Sequence, residues 1–224
     1  ITDWRQYLDR KIESSSKPVY GVTTGCGSLC AVSVGRDSLA QLQINLVMSH
    51  ACGTGDRVPN EIVQIMLLLK IQSLSYGYSG CKLDTVERLI DFFNNDIYPI
   101  VYMQGSLGAS GDLVPLAHLS LPLLGLGEVE YKGEVISGQE LMKKMSWQPI
   151  ELASKEGLAL LNGTQNMSAF AVWALLKSNR LNEWADRIAA MSLDAYYGLV
   201  EPFTDALHQV RPHKGQIETA KRMR

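Results

Sequence analysis

Apolar residues recur along this chain mainly at the spacing of amphipathic helices. The pattern predicts five helices, over about residues 38–51, 60–76, 83–94, 112–124 and 162–197. Asp37 or Ser38 caps the first, and Asp112 suits the N-terminus of the fourth because acidic side chains stabilise that end of a helix. The last pattern contains no proline, which predicts one long buried helix.

A smaller part of the chain has strand character. The segment "VEYKGEVI" predicts a β-hairpin with Lys132-Gly133 in its turn. Ser137 and Glu140 fit a capping box that starts a short helix. No repeat, low-complexity stretch or flexible linker interrupts the chain. We therefore predict one mainly α domain with a small β-hairpin.

The composition excludes several classes of function. The chain has 224 residues, of which 46% are hydrophobic, and this is enough to bury a sizeable core. Its net charge of −2 provides no basic excess for binding nucleic acid. The longest apolar run, "IVQIMLLLKIQ", is interrupted by Gln64 and Lys70 and is too short to span a bilayer. No membrane or nucleic-acid partner is expected.

The cysteines and the two ends of the chain give further expectations. Cys26, Cys30, Cys52 and Cys81 form no CxxC pair, and the opening "ITDWRQYLDRK" does not resemble a secretory leader. We expect reduced thiols and a cytoplasmic location. The final "QIETAKRMR" has no helix stop signal, so we expect a chain that is incomplete at both ends, although a natural terminus would have a similar pattern.

The stretch "YMQGSLGASGDLVPLAH", residues 102–118, has the densest glycines. Their spacing is G-x-x-G-x-x-G, whereas dinucleotide folds use G-x-G-x-x-G, and no Gly-Lys-Ser/Thr follows. Ser110 has Gly108 two residues before it but Asp112 two residues after it, which does not fit a nucleophile elbow. His118, His208 and His213 show no metal-ligand spacing, so no metal is predicted. Taken alone, the stretch is a tight turn between two helices.

The tripeptide Ala109-Ser110-Gly111 permits a further interpretation. Protein side chains include no strong carbon electrophile, but a backbone can form one. If the Gly111 nitrogen attacks the Ala109 carbonyl carbon, a five-membered ring closes and the former carbonyl oxygen leaves as water. Loss of the Ser110 hydroxyl with the Cα hydrogen, as a second water, then leaves an exocyclic methylidene. Small residues at positions 109 and 111 permit that approach, and flanking glycines permit the strained bend it requires.

This stretch resembles the 4-methylidene-imidazol-5-one (MIO) loop of the aromatic amino acid ammonia-lyases and related aminomutases. Four further segments are similar to that family in the same order: "YGVTTGCGSL" (20–29), "NLVMSHACGTG" (45–55), "KEGLALLNGTQ" (155–165) and "VRPHKGQ" (210–216). The resemblance covers nearly the whole chain but only about the first half of the family's usual length. Thr23, Cys26 and Lys214 depart from the usual asparagine, phenylalanine and proline.

The resemblance implies both a fold and a chemistry. The fold is a long-helix bundle of the ammonia-lyase (fumarase/aspartase-like) type. The reaction is non-oxidative elimination of ammonia from an aromatic L-amino acid, with MIO formed from Ala109, Ser110 and Gly111 as the electrophile. The sequence does not choose between bonding of the ring to the amine and attack on the aromatic ring.

The resemblance also assigns roles to individual residues. Tyr20 is the expected base for the β-proton, which requires a phenol pKa below its usual value near 10. The Asn162 amide is expected to bind the substrate carboxylate or the ring oxygen, and its position also fits a helix N-cap. Gly105, Gly108 and Asp112 are expected to support the ring.

Ser49 and His50 occupy the family's selectivity position. Ser-His is typical of histidine lyases, His-Leu of tyrosine lyases and Phe-Leu of phenylalanine lyases. The first substrate implied is therefore L-histidine, which gives urocanate. Since the phenol of tyrosine would also suit His50, a tyrosine ammonia-lyase remains an alternative.

Two rival hypotheses share this fold. An aminomutase would return the ammonia to the β-carbon, and a scaffold protein or fragment would have no activity. Family active sites are assembled in a homotetramer, and other groups of the site lie in the part of the family's length beyond these 224 residues. We therefore expect this chain alone to have little or no activity.

Overall fold

The computed structural model describes residues 1–14, 19, 21–24, 35, 39–107 and 110–224. Tyr20, Gly108 and Ala109 lie outside the described residues, as do Asp37 and Ser38 of the first predicted cap and Cys26 and Cys30. The described chain divides into two compact units, residues 1–170 and 171–224.

Helices form most of both units, which confirms the mainly α prediction. In order they are α1 Thr2–Ser14, α2 Leu39–His50, α3 Asn60–Ser75, α4 Leu83–Asn94, α5 Leu113–Ser120, α6 Gly138–Met145, α7 Glu156–Leu161, α8 Gln165–Ala195, α9 Asp205–Gln209 and α10 Lys214–Met223. Among the described residues, two 3-10 helices, Leu121–Leu124 and Glu201–Phe203, lie between them. The first follows α5 directly, and its Pro122 explains why the predicted helix over 112–124 changes geometry there.

In the described part of the first unit, five short strands form two small sheets. Strand β1 (Thr54–Arg57) pairs antiparallel with β3 (Tyr102–Gln104). Strand β2 (Tyr98–Pro99) pairs with β4 (Glu128–Tyr131), which pairs with β5 (Glu134–Ser137).

The predicted hairpin is confirmed as β4 and β5. Lys132 and Gly133 both have positive φ angles, 53° and 81°, as a two-residue turn of this twist requires. The predicted cap after it is confirmed as well, because the Ser137 hydroxyl accepts a hydrogen bond from the Glu140 backbone N–H at the start of α6.

The core of the first unit lies between α3, α4 and α5. Helix α3 packs on α4, and both α2 and α7 pack on α5. Completely or almost completely buried side chains contributed by these helices are Ile62, Met66, Leu67, Leu74, Leu89, Phe92, Leu116 and Leu119. Burial of each such side chain stabilises the fold by about 1.5–3 kcal/mol.

The predicted long helix over 162–197 is confirmed as α8, whereas its predicted burial is wrong for residues 171–195. The helix begins at Gln165, because Asn162 ends α7 and Gly163 has a φ of 154°, which a helix cannot contain. Within residues 171–195 most of the large apolar side chains are exposed: Leu181 is 69% exposed and Met191 72%.

The second unit contains the rest of α8, the 3-10 helix Glu201–Phe203, α9 and α10. Arg222 of α10 donates to Asp186 of α8 at 2.5 Å. Ala220, also in α10, is buried. Among the described residues, no helix is long and apolar enough to cross a membrane.

Candidate functional site

The backbone after Ser110 lies directly against the segment that joins α7 to α8. The Asp112 N–H donates to the Gly163 carbonyl at 2.7 Å. Gly111 has a φ of 86°, and a Cβ there would lie 2.4 Å from the Gly163 oxygen. Only glycine fits at position 111, because any side chain would push the two segments apart.

Asp112 ties three segments of the chain together. Its side chain is completely buried. One carboxylate oxygen accepts from the Ser106 hydroxyl at 2.7 Å, and the other accepts from the Met167 N–H at 2.9 Å. The carboxylate therefore connects both sides of the glycine loop, residues 105–111, to the first turn of α8. This arrangement is consistent with the expected supporting role of Asp112.

Asn162 caps the C-terminus of α7. The expectation that it caps the N-terminus of the following helix is wrong, because that helix starts three residues later at Gln165. The Asn162 side chain is exposed, whereas its carbonyl accepts a hydrogen bond from the ammonium of Lys70 at 3.2 Å. The side-chain amide of Asn162 is therefore accessible to a ligand, while its backbone carbonyl is fixed by Lys70.

Helix α7 is fixed at its other end by a buried carboxylate. Glu156, which is completely buried, accepts from the Lys82 N–H, the Thr85 hydroxyl and the Ala153 N–H. The Gly157 N–H donates to the Gln43 side-chain oxygen of α2 at 3.0 Å. These contacts join α7 to the helix that carries Ser49 and His50.

Ser49 and His50 lie in the last turn of α2. The Nδ1 atom of His50 is 2.8 Å from the Leu46 carbonyl, and the Ser49 hydroxyl donates to the same carbonyl at 3.0 Å. A carbonyl accepts only, so Nδ1 carries the proton in the neutral ring and Nε2 is left as an acceptor. In the described part of the chain, no hydrogen bond joins this pair to Ser110 or Gly111.

The segment that follows His50 is connected to the glycine loop through His118 of α5. The Gly53 N–H donates to Nε2 of His118 at 2.9 Å, and burial lowers the pKa of this imidazole. Gly105, with a φ of 142°, lies so close that a Cβ would be 3.3 Å from the Gly53 Cα and 2.5 Å from Val114. Gly53, Gly105 and α5 therefore pack as one cluster.

The structure thus brings together Ser110, Gly111, Asp112 and the Asn162-Gly163 segment. Tyr20, Gly108 and Ala109 lie outside the described residues, so their predicted roles stay predictions. Among the described residues, no group of histidine, cysteine, aspartate and glutamate side chains could hold a metal ion.

Sequence reasoning missed several residues that hold the segments of this candidate site in place. Lys70, Ser106 and His118 each bind a backbone or carboxylate atom of the segments above. Lys70 had a detectable signal, since it stands four residues from the buried Met66 and Leu74 on the apolar face of α3. Ser106 and His118 had none, because their contacts come from segments far apart in sequence or from a folded loop.

Comparison with known proteins places this arrangement in a family. Residues 1–224 match the aromatic amino acid lyase family over their whole length. A histidine ammonia-lyase of Legionella pneumophila is 50% identical over 215 residues, which cover 96% of this chain and 43% of that protein. Histidine ammonia-lyase 2 of Fusobacterium nucleatum is 45% identical over 224 residues, which cover 100% of this chain and 44% of that protein. The chain thus spans less than half the length of these relatives.

Solved structures agree in fold. Histidine ammonia-lyase from Trypanosoma cruzi superposes with a TM-score of 0.91 at 35% identity, over 100% of this chain and 44% of that one. Tyrosine aminomutase from Streptomyces globisporus superposes with a TM-score of 0.93 at 33% identity, over 99% of this chain and 42% of that one. The predicted ammonia-lyase fold is therefore confirmed, and the chain belongs to the aromatic amino acid lyase family.

Proposed function

We propose that the protein carrying this chain eliminates ammonia from an aromatic L-amino acid, with L-histidine as the first substrate and urocanate as the product. The observation that carries the proposal is the contact of Gly111 and Asp112 with Gly163, at the position where the family resemblance places the ring-forming tripeptide. The histidine ammonia-lyases among the relatives support the choice of substrate.

The residues present fit an MIO group. Ring closure requires a residue without Cβ at position 111 and a bend held by its surroundings. Gly111 has the positive φ, and the Asp112 carboxylate with its two donors holds the chain directly after it. When formed, the ring would supply the carbon electrophile that makes the substrate's amino group a better leaving group. Ala109, Ser110 and Gly111 are the residues proposed to form it.

The hydrogen bonding of His50 favours a substrate whose ring carries a hydrogen-bond donor. Its Nδ1 is engaged by the Leu46 carbonyl, so the neutral imidazole offers only the Nε2 acceptor to a ligand. The imidazole of histidine and the phenol of tyrosine both carry such a donor, whereas the phenyl ring of phenylalanine does not. We therefore propose Ser49 and His50 as selectivity residues that disfavour phenylalanine.

Tyr20 is the proposed base, and the residues beside it are anchored close to α7. The Ser154 hydroxyl, just before α7, donates to the Val22 carbonyl at 3.0 Å, and Val22 is buried. The Gly21 N–H donates to the Thr24 hydroxyl. Removal of a β-proton requires a base held firmly relative to the substrate, and this anchoring supports that role. Asn162 is the proposed substrate-binding amide.

A tyrosine ammonia-lyase and an aminomutase are the second candidates, and the similarity to tyrosine aminomutase structures favours the latter. A homotetramer in the cytoplasm is proposed from the family resemblance alone. An inactive scaffold of the same fold is the rival from a different class.

The proposal is tested with the longest natural chain that contains these residues. L-histidine, L-tyrosine and L-phenylalanine are supplied separately, and products are identified by mass and retention time. Urocanate as the main product supports the proposal, β-amino acids indicate an aminomutase, and no product from any substrate contradicts it. Replacement of Ser110 by alanine, which removes the hydroxyl that must be lost, is expected to abolish turnover.

A further inference from the structure

Lys70 is a buried cation that none of the roles above uses. It lies in the middle of α3, and only 1% of its surface is exposed. Among the described residues, no carboxylate lies within 4.0 Å of its ammonium group. The nearby Cys81 is almost completely buried and its thiol is neutral, because burial raises its pKa to about 12.

The partners of the ammonium are two backbone carbonyls at the end of α7. Lys70 Nζ donates to the Ala159 oxygen at 2.9 Å and to the Asn162 oxygen at 3.2 Å. Burial of an ammonium without a carboxylate is costly, and an apolar side chain of similar volume would fill the same space without that cost. Burial lowers the pKa of Lys70 to about 8, so the group is still mainly protonated at neutral pH. A role in stability alone does not explain the charge.

The position of the Asn162 carbonyl determines the geometry that follows. This carbonyl shares a peptide plane with the Gly163 nitrogen. Gly163 then adopts a φ of 154° and directs its own carbonyl at the Asp112 N–H, 2.7 Å away. Two consecutive carbonyls are therefore held by different parts of the chain, one by Lys70 and one by the segment after Gly111.

We propose that Lys70 is a positioning residue for the site: its ammonium fixes the Asn162 peptide plane, and thereby holds the Asn162 amide and the Gly163 carbonyl against the ring-forming segment. This inference rests on the proposed function. Lys70 acts through Asn162 and Gly163 and does not itself contact the substrate.

Lys155 provides a matched control at the opposite end of the same helix. Its ammonium also donates to a backbone carbonyl, that of Ser79, and burial also lowers its pKa. Lys70→Met and Lys155→Met each remove one ammonium from one end of α7, but only the first releases Asn162.

Both variants and the wild type are prepared as the longest natural chain. Three quantities are measured: the mass of the peptide with residues 105–112, the thermal midpoint, and kcat with KM.

The positioning role predicts that the ring-closed fraction of the peptide falls in Lys70→Met and stays at the wild-type level in Lys155→Met. It also predicts a loss of kcat on the order of 10- to 100-fold in Lys70→Met, since small misplacements of site groups have effects of that size. If Lys70→Met does not fold, Lys70→Gln, which is uncharged and shorter, is compared with Lys155→Gln by the same three measurements.

Equal ring closure and equal kcat in the Lys70 and Lys155 variants would overturn the inference and leave the proposed function intact. A wild-type protein with an unmodified peptide and no turnover would overturn both together. A thermal midpoint lowered equally in both variants, with loss of ring closure in Lys70→Met alone, separates positioning from general destabilisation.

Discussion

At Gly111 the absence of one Cβ atom determines how closely two backbone segments approach. The Gly163 oxygen occupies the place where that Cβ would lie, at 2.4 Å. No adjustment of a flexible side chain relieves such a contact, because the position of a Cβ is fixed by its own backbone and the Gly163 oxygen is a backbone atom. The site therefore depends on glycine here for space as well as for its positive φ.

We expect Gly111→Ala to lower stability and to reduce ring closure, while Gly133→Ala only lowers stability. Both glycines have similar φ angles, 86° and 81°, so both variants carry backbone strain of about 1 kcal/mol. A Cβ at Gly133 meets nothing within 4 Å, whereas one at Gly111 breaks the contact with Gly163. Thermal unfolding and the mass of the loop peptide measure the two effects. Normal ring closure in Gly111→Ala would show that the contact is unimportant.

The cysteines provide a second prediction at this scale. Cys52 is exposed, whereas Cys81 is buried and its pKa is raised to about 12, first by burial and then by the charge of Glu156. Since the thiolate is the reactive form, iodoacetamide at pH 8 should alkylate Cys52 and leave Cys81 unmodified. Peptide mapping in buffer and in denaturant gives the comparison. Alkylation of both at similar rates in buffer would contradict the described packing.

Helix α5 connects several parts of the first unit. It begins directly after the glycine loop, packs on α2 and α7, and contacts the Gly53 backbone through His118. The acceptor in that hydrogen bond is Nε2, so the imidazole must be neutral there. Protonation of His118 would remove the link between α5 and the Gly53 backbone.

We expect the stability contributed by His118 to fall as the pH is lowered. Burial lowers its pKa below the ordinary 6.5, so between these two values the unfolded chain binds more protons than the folded chain. The contribution is complete above pH 6.5 and is lost as the pH falls through the folded pKa. Thermal midpoints of wild type and His118→Phe should therefore differ most near pH 8 and converge near pH 5.

The exposed His213 serves as the control, because in the described part of the chain it makes no contact with Gly53, and the pH-dependent difference seen for His118→Phe should not appear for His213→Phe. A difference between wild type and His118→Phe that is constant from pH 5 to pH 8 would argue against the Gly53 contact.

The sequence predicted those elements whose boundaries have local causes. Helix α4 starts and ends as predicted, and the turn at Lys132-Gly133 follows from two residues that tolerate positive φ. The break at Asn162-Gly163 was missed because it depends on Asp112 and Lys70, more than 45 residues away. Likewise, the roles of Ser110 and Gly111 came from the motif, whereas the bond from Asp112 to Gly163 appears only in the fold.

At the scale of the whole molecule, α8 changes its surroundings along its length. Its first turns contribute to the core of the first unit through the buried Ala169, whereas residues 171–195 belong to the second unit and are mostly exposed. The exposed apolar side chains on this part are Leu175, Leu176, Leu181, Trp184, Ile188 and Met191. Exposed apolar side chains concentrated on one helix mark an interaction site or cause association.

We expect the 224-residue chain to self-associate in a concentration-dependent way, and Leu176→Glu to reduce that association. Asn182→Glu adds the same charge at an exposed polar position of the same helix and should have a smaller effect. Sedimentation velocity over a range of concentrations measures both. A monomeric wild-type chain at high concentration would contradict the prediction.

The mass of the proteolytic peptide that contains residues 105–112 tests the central claim most directly. If Ala109, Ser110 and Gly111 form the MIO ring, the peptide is lighter than its encoded sequence by the mass of two water molecules. The same peptide from Ser110→Ala, which has no hydroxyl to lose, should not show that deficit. An unmodified wild-type mass would mean that the contact between Gly111 and Gly163 does not bring about ring closure, and the proposed ammonia-lyase chemistry would lose its electrophile.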